Sequence, residues 1–187
     1  PGSRFIDDFR IYNALRKEYG EVNMSMVLQK SINTGMIFIV EKLGKENFAD
    51  YVRDFGFGTR TGIALDTEVS GNIISLDKPG DIYAATGSFG QGLTTTPLQL
   101  VAAYAAMANG GKLMRPYIID EIRYRDGTSE ITEPKEVRQV ISSHAARLVT
   151  GMLTSVIEET YKRTASVPGF YMGGKTGTAQ IPGKGGY

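Results

Sequence analysis

The 187-residue sequence contains no cysteine. A disulfide framework, a thiolate nucleophile and a thiolate-ligated zinc are therefore all excluded. The absence fits a protein that works outside the cytoplasm without establishing that it does. Histidine is reduced to one residue, His144, so a metal cluster or a Ser-His-Asp triad would have to be assembled around it alone. Its place near a predicted helix start suits a solvated or structural side chain. No apolar run approaches the ~18 residues of a membrane span, and no signal peptide opens the chain. Excess charge is lacking as well: the formal net charge is +1, which gives no reason to expect nucleic acid or an anionic membrane surface as a partner. The opening Pro1-Gly2-Ser3-Arg4 has no initiator methionine, from which an upstream part is expected. What is present has a globular balance, 41 % hydrophobic and 22 % charged, in a length that suits one domain or a piece of a larger one.

Periodicity organises most of the chain into helices. Residues 7–19 mix aromatic, charged and small side chains and read as irregular. Asn23 is a helix cap, with Met24, Val27 and Leu28 at helical spacing before Ser31. A second helix is predicted over Thr34 to Leu43, ending at Gly44, and a third over Lys45 to Phe55 with Phe48, Tyr51, Val52 and Phe55 on its core side. The glycine-rich stretch from Gly56 to Gly92 reads as winding, with a short extended piece at Ile63-Ala64-Leu65. Thr96-Pro97 starts an alanine-rich helix that stops near Gly110-Gly111. Asp126-Gly127 predicts a hairpin between Tyr117–Arg125 and Ser129–Thr132. Ser142 or Ser143 caps a helix reaching about Thr160, with Leu148, Val149, Met152, Leu153 and Val156 on its buried side. Glu158 and Glu159 lie late on it and read as a solvated face. Pro168-Gly169 turns the chain into its most informative run.

That run is Met172-Gly173-Gly174-Lys175-Thr176-Gly177-Thr178-Ala179-Gln180, predicted as a strand edge. Glycines inside a strand mark places where a ligand or another backbone comes close. Lys175 supplies a cation with three donors, and Thr176 and Thr178 supply hydroxyls. In a strand the two threonines share a face, with Gly177 between them, a surface suited to an extended anionic substrate. Three readings compete. Gly169 to Thr176 matches the phosphate-binding pattern G-x-x-x-x-G-K-[ST]. Such a loop needs a buried strand before it and a helix after it, whereas Ser166-Val167-Pro168 precedes and Gly177, Pro182, Gly183, Gly185 and Gly186 follow. A solvated lysine in a glycine loop is the bland reading. The third needs a partner motif.

Ser31-Ile32-Asn33 is that partner. S-x-N and K-T-G, in that order, are the second and third signatures of penicillin-recognising serine enzymes, after S-x-x-K. The likeness extends beyond the motifs. Leu28-Gln29-Lys30-Ser31-Ile32-Asn33-Thr34-Gly35-Met36, Ala85-Thr86-Gly87-Ser88-Phe89-Gly90-Gln91-Gly92-Leu93-Thr94-Thr95-Thr96-Pro97-Leu98-Gln99-Leu100 and Gly173 to Gln180 resemble the class B penicillin-binding proteins. The resemblance runs from about Asn23 to the end of the chain.

It implies an α+β fold, part of the penicillin-binding protein transpeptidase and serine β-lactamase-like architecture: helices packed on a five-stranded antiparallel sheet with the cleft between them. Within this chain the fold should be mostly helical, with a hairpin and the strand of the lysine run. Transpeptidation is the implied reaction. The D-Ala–D-Ala end of a peptidoglycan stem peptide acylates a serine, a neighbouring amine resolves the acyl-enzyme into a cross-link, and β-lactams stop at the acyl-enzyme. Carried over by position, Ser31 relays a proton toward the leaving amine within reach of Lys175, and Asn33 holds the substrate's peptide group. Thr176, Gly177, Thr178 and Gln180 bind the substrate end, the threonines taking its carboxylate and the Thr178 N–H serving as an oxyanion donor. One such donor is worth about 3 kcal/mol in the transition state. No cofactor or metal is implied. The resemblance also implies glycan-polymerising and divisome or elongasome partners, and a membrane-anchored parent acting on the extracytoplasmic face of the bacterial cytoplasmic membrane.

The chain departs from the family pattern in two respects, one being that the strands expected after the lysine run are missing from the sequence. S-x-x-K belongs before S-x-N, and the residues before Ser31 hold no such motif. Ser75-Leu76-Asp77-Lys78 follows instead, and Pro79-Gly80 prevents the helix on which the motif presents its Ser and Lys. Residues 1–187 are therefore expected to be the central and C-terminal-side portion of one transpeptidase domain, truncated at both ends and inactive alone. A β-lactamase, a D,D-carboxypeptidase or a penicillin-sensing receptor of the same fold is the alternative. The first two differ in using water as the acyl acceptor, and nothing in the sequence marks a deacylating base.

Overall fold

Asn23 accepts a hydrogen bond on its side-chain oxygen from the Met26 N–H at 2.9 Å, the cap that opens α1 (Met24–Gln29). The chain turns at Lys30-Ser31 and enters α2 (Asn33–Leu43), closed by Gly44 at φ 87°, a conformation that favours glycine. α3 (Lys45–Asp54) follows at once. These helices stand where their caps and apolar spacing predict them. The computed structural model describes residues 1–179. Those residues fall into two units, one of residues 1–50, 73–93 and 148 onward, the other of residues 51–72 and 94–147.

In the first unit a hairpin runs into the segment 7–19 predicted to be irregular, with its turn and second strand inside it. β1 (Ser3–Ile6) pairs antiparallel with β2 (Phe9–Tyr12), from Ser3 opposite Tyr12 to Ile6 opposite Phe9. The connecting Asp7 has φ 49°, a conformation that aspartate tolerates better than most residues. Strands of four residues are too short for alternation to register, and no glycine announces the turn. The glycine-rich stretch likewise conceals α4 (Asp81–Gly87). Its cap is not local: Asp7 Oδ2 accepts from the Ile82 N–H at 3.0 Å, across 75 residues. Ile6, Ile37 and Ala85 form the buried cluster that joins hairpin, α2 and α4, with Ile11, Ile82 and Phe89 packed against it. A Cβ on Gly35 would lie 2.7 Å from both γ-carbons of Val27, so glycine is what lets α2 close on α1.

The second unit centres on α5 (Pro97–Ala108), which opens with a reciprocal capping box between Thr96 and Gln99. Its alanines allow close packing, Ala103 and Ala106 being buried. Gln99 is buried too, and its Nε2 donates to the carbonyls of Thr59 and Ser70, both at 2.7 Å. One amide thus holds the irregular loop against the helix start. Ile63-Ala64-Leu65 forms no strand there, because its backbone has no ladder partner. β3 (Lys112–Met114) pairs with β6 (Glu136–Gln139). The predicted hairpin forms as β4 (Glu121–Arg123) and β5 (Ser129–Ile131), shorter than expected, with Gly127 at φ 89° in its turn. α6 (Ser143–Val156), which begins in this unit and belongs to the first from Leu148 onward, starts from Ser142, whose Oγ accepts from the Ala145 N–H at 3.1 Å. A π-helical turn (Ile157–Tyr161) and α7 (Lys162–Ala165) continue it.

The α+β class holds, mostly helical with short hairpins. Among the described residues every sheet has two strands. Some side chains differ from their predicted faces. Tyr51 is 42 % exposed and Leu148 56 % exposed, whereas Ala49, Leu153 and Val156 carry the burial on α3 and α6. Aromatic and leucine side chains at the margin of an apolar stripe leave part of their area in water.

Replacing Gln99 by leucine should lower stability by about 2–4 kcal/mol, the loss of a helix cap plus buried carbonyls left unpaired. Urea unfolding measures it, and an unchanged midpoint would show that Gln99 does not tie the loop to the helix start.

Candidate active site

Ser31 occupies the turn between α1 and α2 at φ 51°, a left-handed conformation that costs a residue with a side chain about 1 kcal/mol or more. The turn is held by its neighbours. The Ser31 N–H donates to Leu28 O at 3.2 Å and the Ile32 N–H to Val27 O at 3.0 Å. Ile32 is 3 % exposed, so burial of this one side chain anchors the tripeptide between the two polar residues of the motif. Ser31 is exposed and Asn33 half-buried. Asn33 Nδ2 donates to Tyr12 O at 2.9 Å, which fixes the amide against the end of β2.

Lys175 arrives from the far end of the chain, and two glycines set its path. A Cβ on Gly173 would sit 3.4 Å from the Leu153 Cβ, and one on Gly174 would sit 3.2 Å from Ile157 Cδ1. The backbone is thus pressed against α6 and its π-helical extension, and the Gly174 N–H donates to Leu153 O at 3.2 Å. Gln29 at the end of α1 donates to Ser155 Oγ of α6 at 3.2 Å, tying the helix that precedes Ser31 to the helix on which Gly173 and Gly174 lie. Lys175 Nζ then donates to Ser31 Oγ across 144 residues of sequence, and also approaches Thr176 Oγ1 at 3.2 Å. Burial holds the Lys175 ammonium below the ordinary lysine pKa.

The strand predicted for the lysine run is not formed among its described residues, 172–179, which carry no ladder to another strand. A strand exists only through a partner's hydrogen bonds, and the bond from Gly174 goes to a helix carbonyl instead. Close approach, predicted from the glycines, is found at Gly173 and Gly174. A Cβ on Gly177 would meet nothing within 4 Å. Thr176, Gly177 and Thr178 are exposed, and Gln180 lies outside the described residues, as do Pro182 to Tyr187.

The competing motifs fall away on geometry. Ser75 sits in a 3-10 turn (Ile74–Asp77) and donates its hydroxyl to Gly92 O at 2.8 Å. Lys78 lies over the Tyr83 ring, 5.1 Å from its centre. The two do not form a serine–lysine pair on an α-helix. No strand precedes Gly169 and no helix follows Thr176 among the described residues, so the phosphate-loop reading lacks both its flanks. His144 is exposed on the first turn of α6, and Glu158 pairs with Lys162 at 3.2 Å.

Two features beside the motif had no signal in the sequence. One is Tyr12-Asn13, whose groups reach the start of α2. The other is a groove of about 500 Å³ next to Asn33, lined among others by Arg10, Tyr12, Arg16 and Phe89. Both are built by the hairpin that periodicity did not reveal.

Comparison with known proteins places this geometry in context. The family model described as "Penicillin binding protein transpeptidase domain" matches residues 3–187. Stage V sporulation protein D of Bacillus subtilis is 40 % identical over 183 residues, covering 96 % of this chain and 28 % of the relative. Peptidoglycan D,D-transpeptidase FtsI of Escherichia coli K12 is 32 % identical over 166 residues, covering 88 % and 26 % respectively. The crystal structure of penicillin-binding protein 3 from Mycobacterium tuberculosis complexed with ampicillin superposes with a TM-score of 0.88 at 34 % identity, over 100 % of this chain and 43 % of that one. The chain thus spans little more than a quarter of the length of the curated relatives it matches.

The lysine provides a direct check. Folding penalises its charged form, so its folded-state pKa lies below the unfolded value. The penalty is present in full while Lys175 is charged in both states and disappears as pH rises from the folded toward the unfolded value. Followed by the 13Cε shift, Lys175 should lose its proton at lower pH than the exposed lysines. A titration in line with theirs would place Nζ in solvent, away from Ser31.

Proposed function

The chain belongs to the penicillin-binding protein transpeptidase domain family, and on that premise we propose that it is part of a serine D,D-transpeptidase that cross-links peptidoglycan stem peptides and is acylated by β-lactams. The observation that supports this most is the meeting of Lys175 with Ser31 in the turn that also carries Asn33. Two polar signatures remote in sequence have no structural need to converge at an exposed serine. A partly buried lysine with a lowered pKa has a reason to be there if protons move through that serine.

In the proposed reaction a serine outside the two motifs attacks the carbonyl of the penultimate D-Ala. Ser31 passes a proton toward the departing amine, and the Lys175 hydrogen bond keeps the Ser31 hydroxyl oriented as it does so. Asn33 receives the peptide group of the substrate. Thr176 and Thr178 take the terminal carboxylate, with the positive charge at Lys175 favouring that anionic end, and the Thr178 N–H stabilises the oxyanion. Gln180 belongs to the same substrate-binding run. A β-lactam, which presents a carboxylate beside a strained amide, uses the same contacts and remains as the acyl-enzyme.

The nucleophile is assigned outside residues 1–187. Ser31 serves as relay, and the Ser75 hydroxyl is already committed to Gly92 O. The parent protein would act on the outer face of the cytoplasmic membrane, anchored there, alongside glycan-polymerising proteins of the division or elongation machinery. Among the described residues no helix is long and apolar enough to cross a membrane.

One labelling experiment tests the reading. A full-length penicillin-binding protein carrying this sequence, incubated with a fluorescent penicillin, should gain one acyl group by intact mass, on a serine outside this stretch. The 187-residue chain alone should gain none. Thr178→Val in the full-length protein should slow acylation by roughly ten- to a hundredfold, the equivalent of a charge-assisted bond of about 1.5–3 kcal/mol, with folding preserved. A stoichiometric adduct on the 187-residue chain would place the nucleophile inside it, and an unchanged rate for Thr178→Val would remove that residue from the site.

A further inference from the structure

α2 begins without a cap of its own. Its first flanking residue is Ile32, which has no side-chain acceptor, yet the Thr34 N–H in the first turn is buried and needs one. The acceptor is Asn13 Oδ1, at 3.0 Å and 21 residues upstream. Asn13 is itself 3 % exposed, and its amide is paired throughout. Nδ2 donates to Lys17 O at 2.9 Å and to Pro1 O at 3.2 Å, while the backbone N–H donates to Gly2 O at 3.0 Å. Thr34 Oγ1 donates to the same Pro1 carbonyl at 3.1 Å.

The neighbouring contact is the one that bears on chemistry. Tyr12, next to Asn13, accepts from Asn33 Nδ2 at 2.9 Å, and Asn33 is next to Thr34. Two adjacent residues at the end of β2 therefore grip two adjacent residues at the start of α2. Asn13 holds backbone and Tyr12 holds the side chain of the motif. Without the Asn13 cap, the Thr34 N–H is left unpaired in a buried place, which costs free energy that a small shift of the helix start relieves. Such a shift moves Asn33, and with it the left-handed turn that presents Ser31 to Lys175.

Resting on the proposed function, we infer that Asn13 is a positioning residue for acylation. It sets the seat of the Ser31–Asn33 turn by capping α2 from outside, and it touches no substrate. The relevant group is the acceptor oxygen. Protonated aspartate keeps that oxygen, the side-chain shape and one O–H donor for the Lys17 or Pro1 carbonyl, whereas ionised aspartate would turn a buried negative oxygen on those carbonyls and alanine removes the cap.

The test uses the full-length protein and follows acylation by fluorescent penicillin as a function of its concentration, which separates binding from the rate at saturation. Asn13→Ala is expected to lower the saturating rate at least about tenfold, and Asn13→Asp, compared with the unmodified protein at an acidic pH that keeps the new carboxyl protonated, to recover most of it. Gln99→Leu, which destabilises the other unit, should leave the saturating rate of folded protein as it was, so that loss of stability alone is not mistaken for mispositioning. A folded Asn13→Ala variant with the unmodified rate would overturn the inference. So would an Asn13→Asp variant that folds and is as slow as alanine. If the alanine variant does not fold, Asn13→Asp decides alone. If neither folds, Asn13 is a folding residue and the inference is wrong. Failure of the unmodified protein to acylate would instead refute the proposed function.

Discussion

The contact between Lys175 and Ser31 depends on a constraint at the far side of each residue. Ser31 is held in a left-handed turn because Ile32 is driven into the interior beside it. Lys175 is brought within reach because Gly173 and Gly174 let the backbone lie directly on α6 and the turn that continues it. Neither constraint involves a charge. Apolar burial sets the positions, and the polar pair then forms between groups already placed. This order is physically sensible for a site proposed to bind an anion. A lysine positioned by its own ion pair would have its charge neutralised, whereas one positioned by packing keeps its charge and donors available.

The same logic separates what was legible in the sequence from what was not. Helices with local caps were read correctly: Asn23 for α1, Thr96 for α5, and for α6 the pair Ser142 or Ser143, of which Ser142 is the cap. In each case acceptor and donor lie within a few residues and leave a pattern. The hairpin at the start of the chain and α4 were missed. The cap of α4 comes from Asp7, and the anchor of α2 comes from Asn13. Both are Asx side chains that flank a strand of four residues. A contact spanning tens of residues leaves no local spacing to read, and a strand that short does not alternate long enough to be seen. The lysine run was misjudged for a related reason. Its composition is that of a strand, but strand structure belongs to a pair of chains, and the described backbone pairs with a helix instead.

At the candidate site, the motifs named the residues that the fold then brings together or holds in place. Ser31, Asn33 and Lys175 were named from spacing and resemblance, and the structure brings Ser31 and Lys175 into contact while seating Asn33 against Tyr12. The apparent S-x-x-K at Ser75 was set aside because Pro79-Gly80 breaks the helix it needs, and Ser75 and Lys78 indeed turn to separate partners. The hairpin that periodicity missed contributes the two residues gripping α2 and much of the groove beside Asn33. Sequence motifs thus mark the proposed site residues, while residues with no motif value hold the turn and the helix start that carry them.

The central claim is that Ser31 and Lys175 act as one unit in acylation. A double-mutant cycle measures this most directly, with Ser31→Ala, Lys175→Ala and the double variant made in the full-length protein and the second-order rate of acylation by penicillin determined for each. If the two residues work through their mutual hydrogen bond, the double variant should be slowed less than the product of the single effects, by at least about fivefold, or ~1 kcal/mol of coupling. Effects that simply multiply would contradict the account, since the contact between Lys175 and Ser31 would then have no part in the reaction.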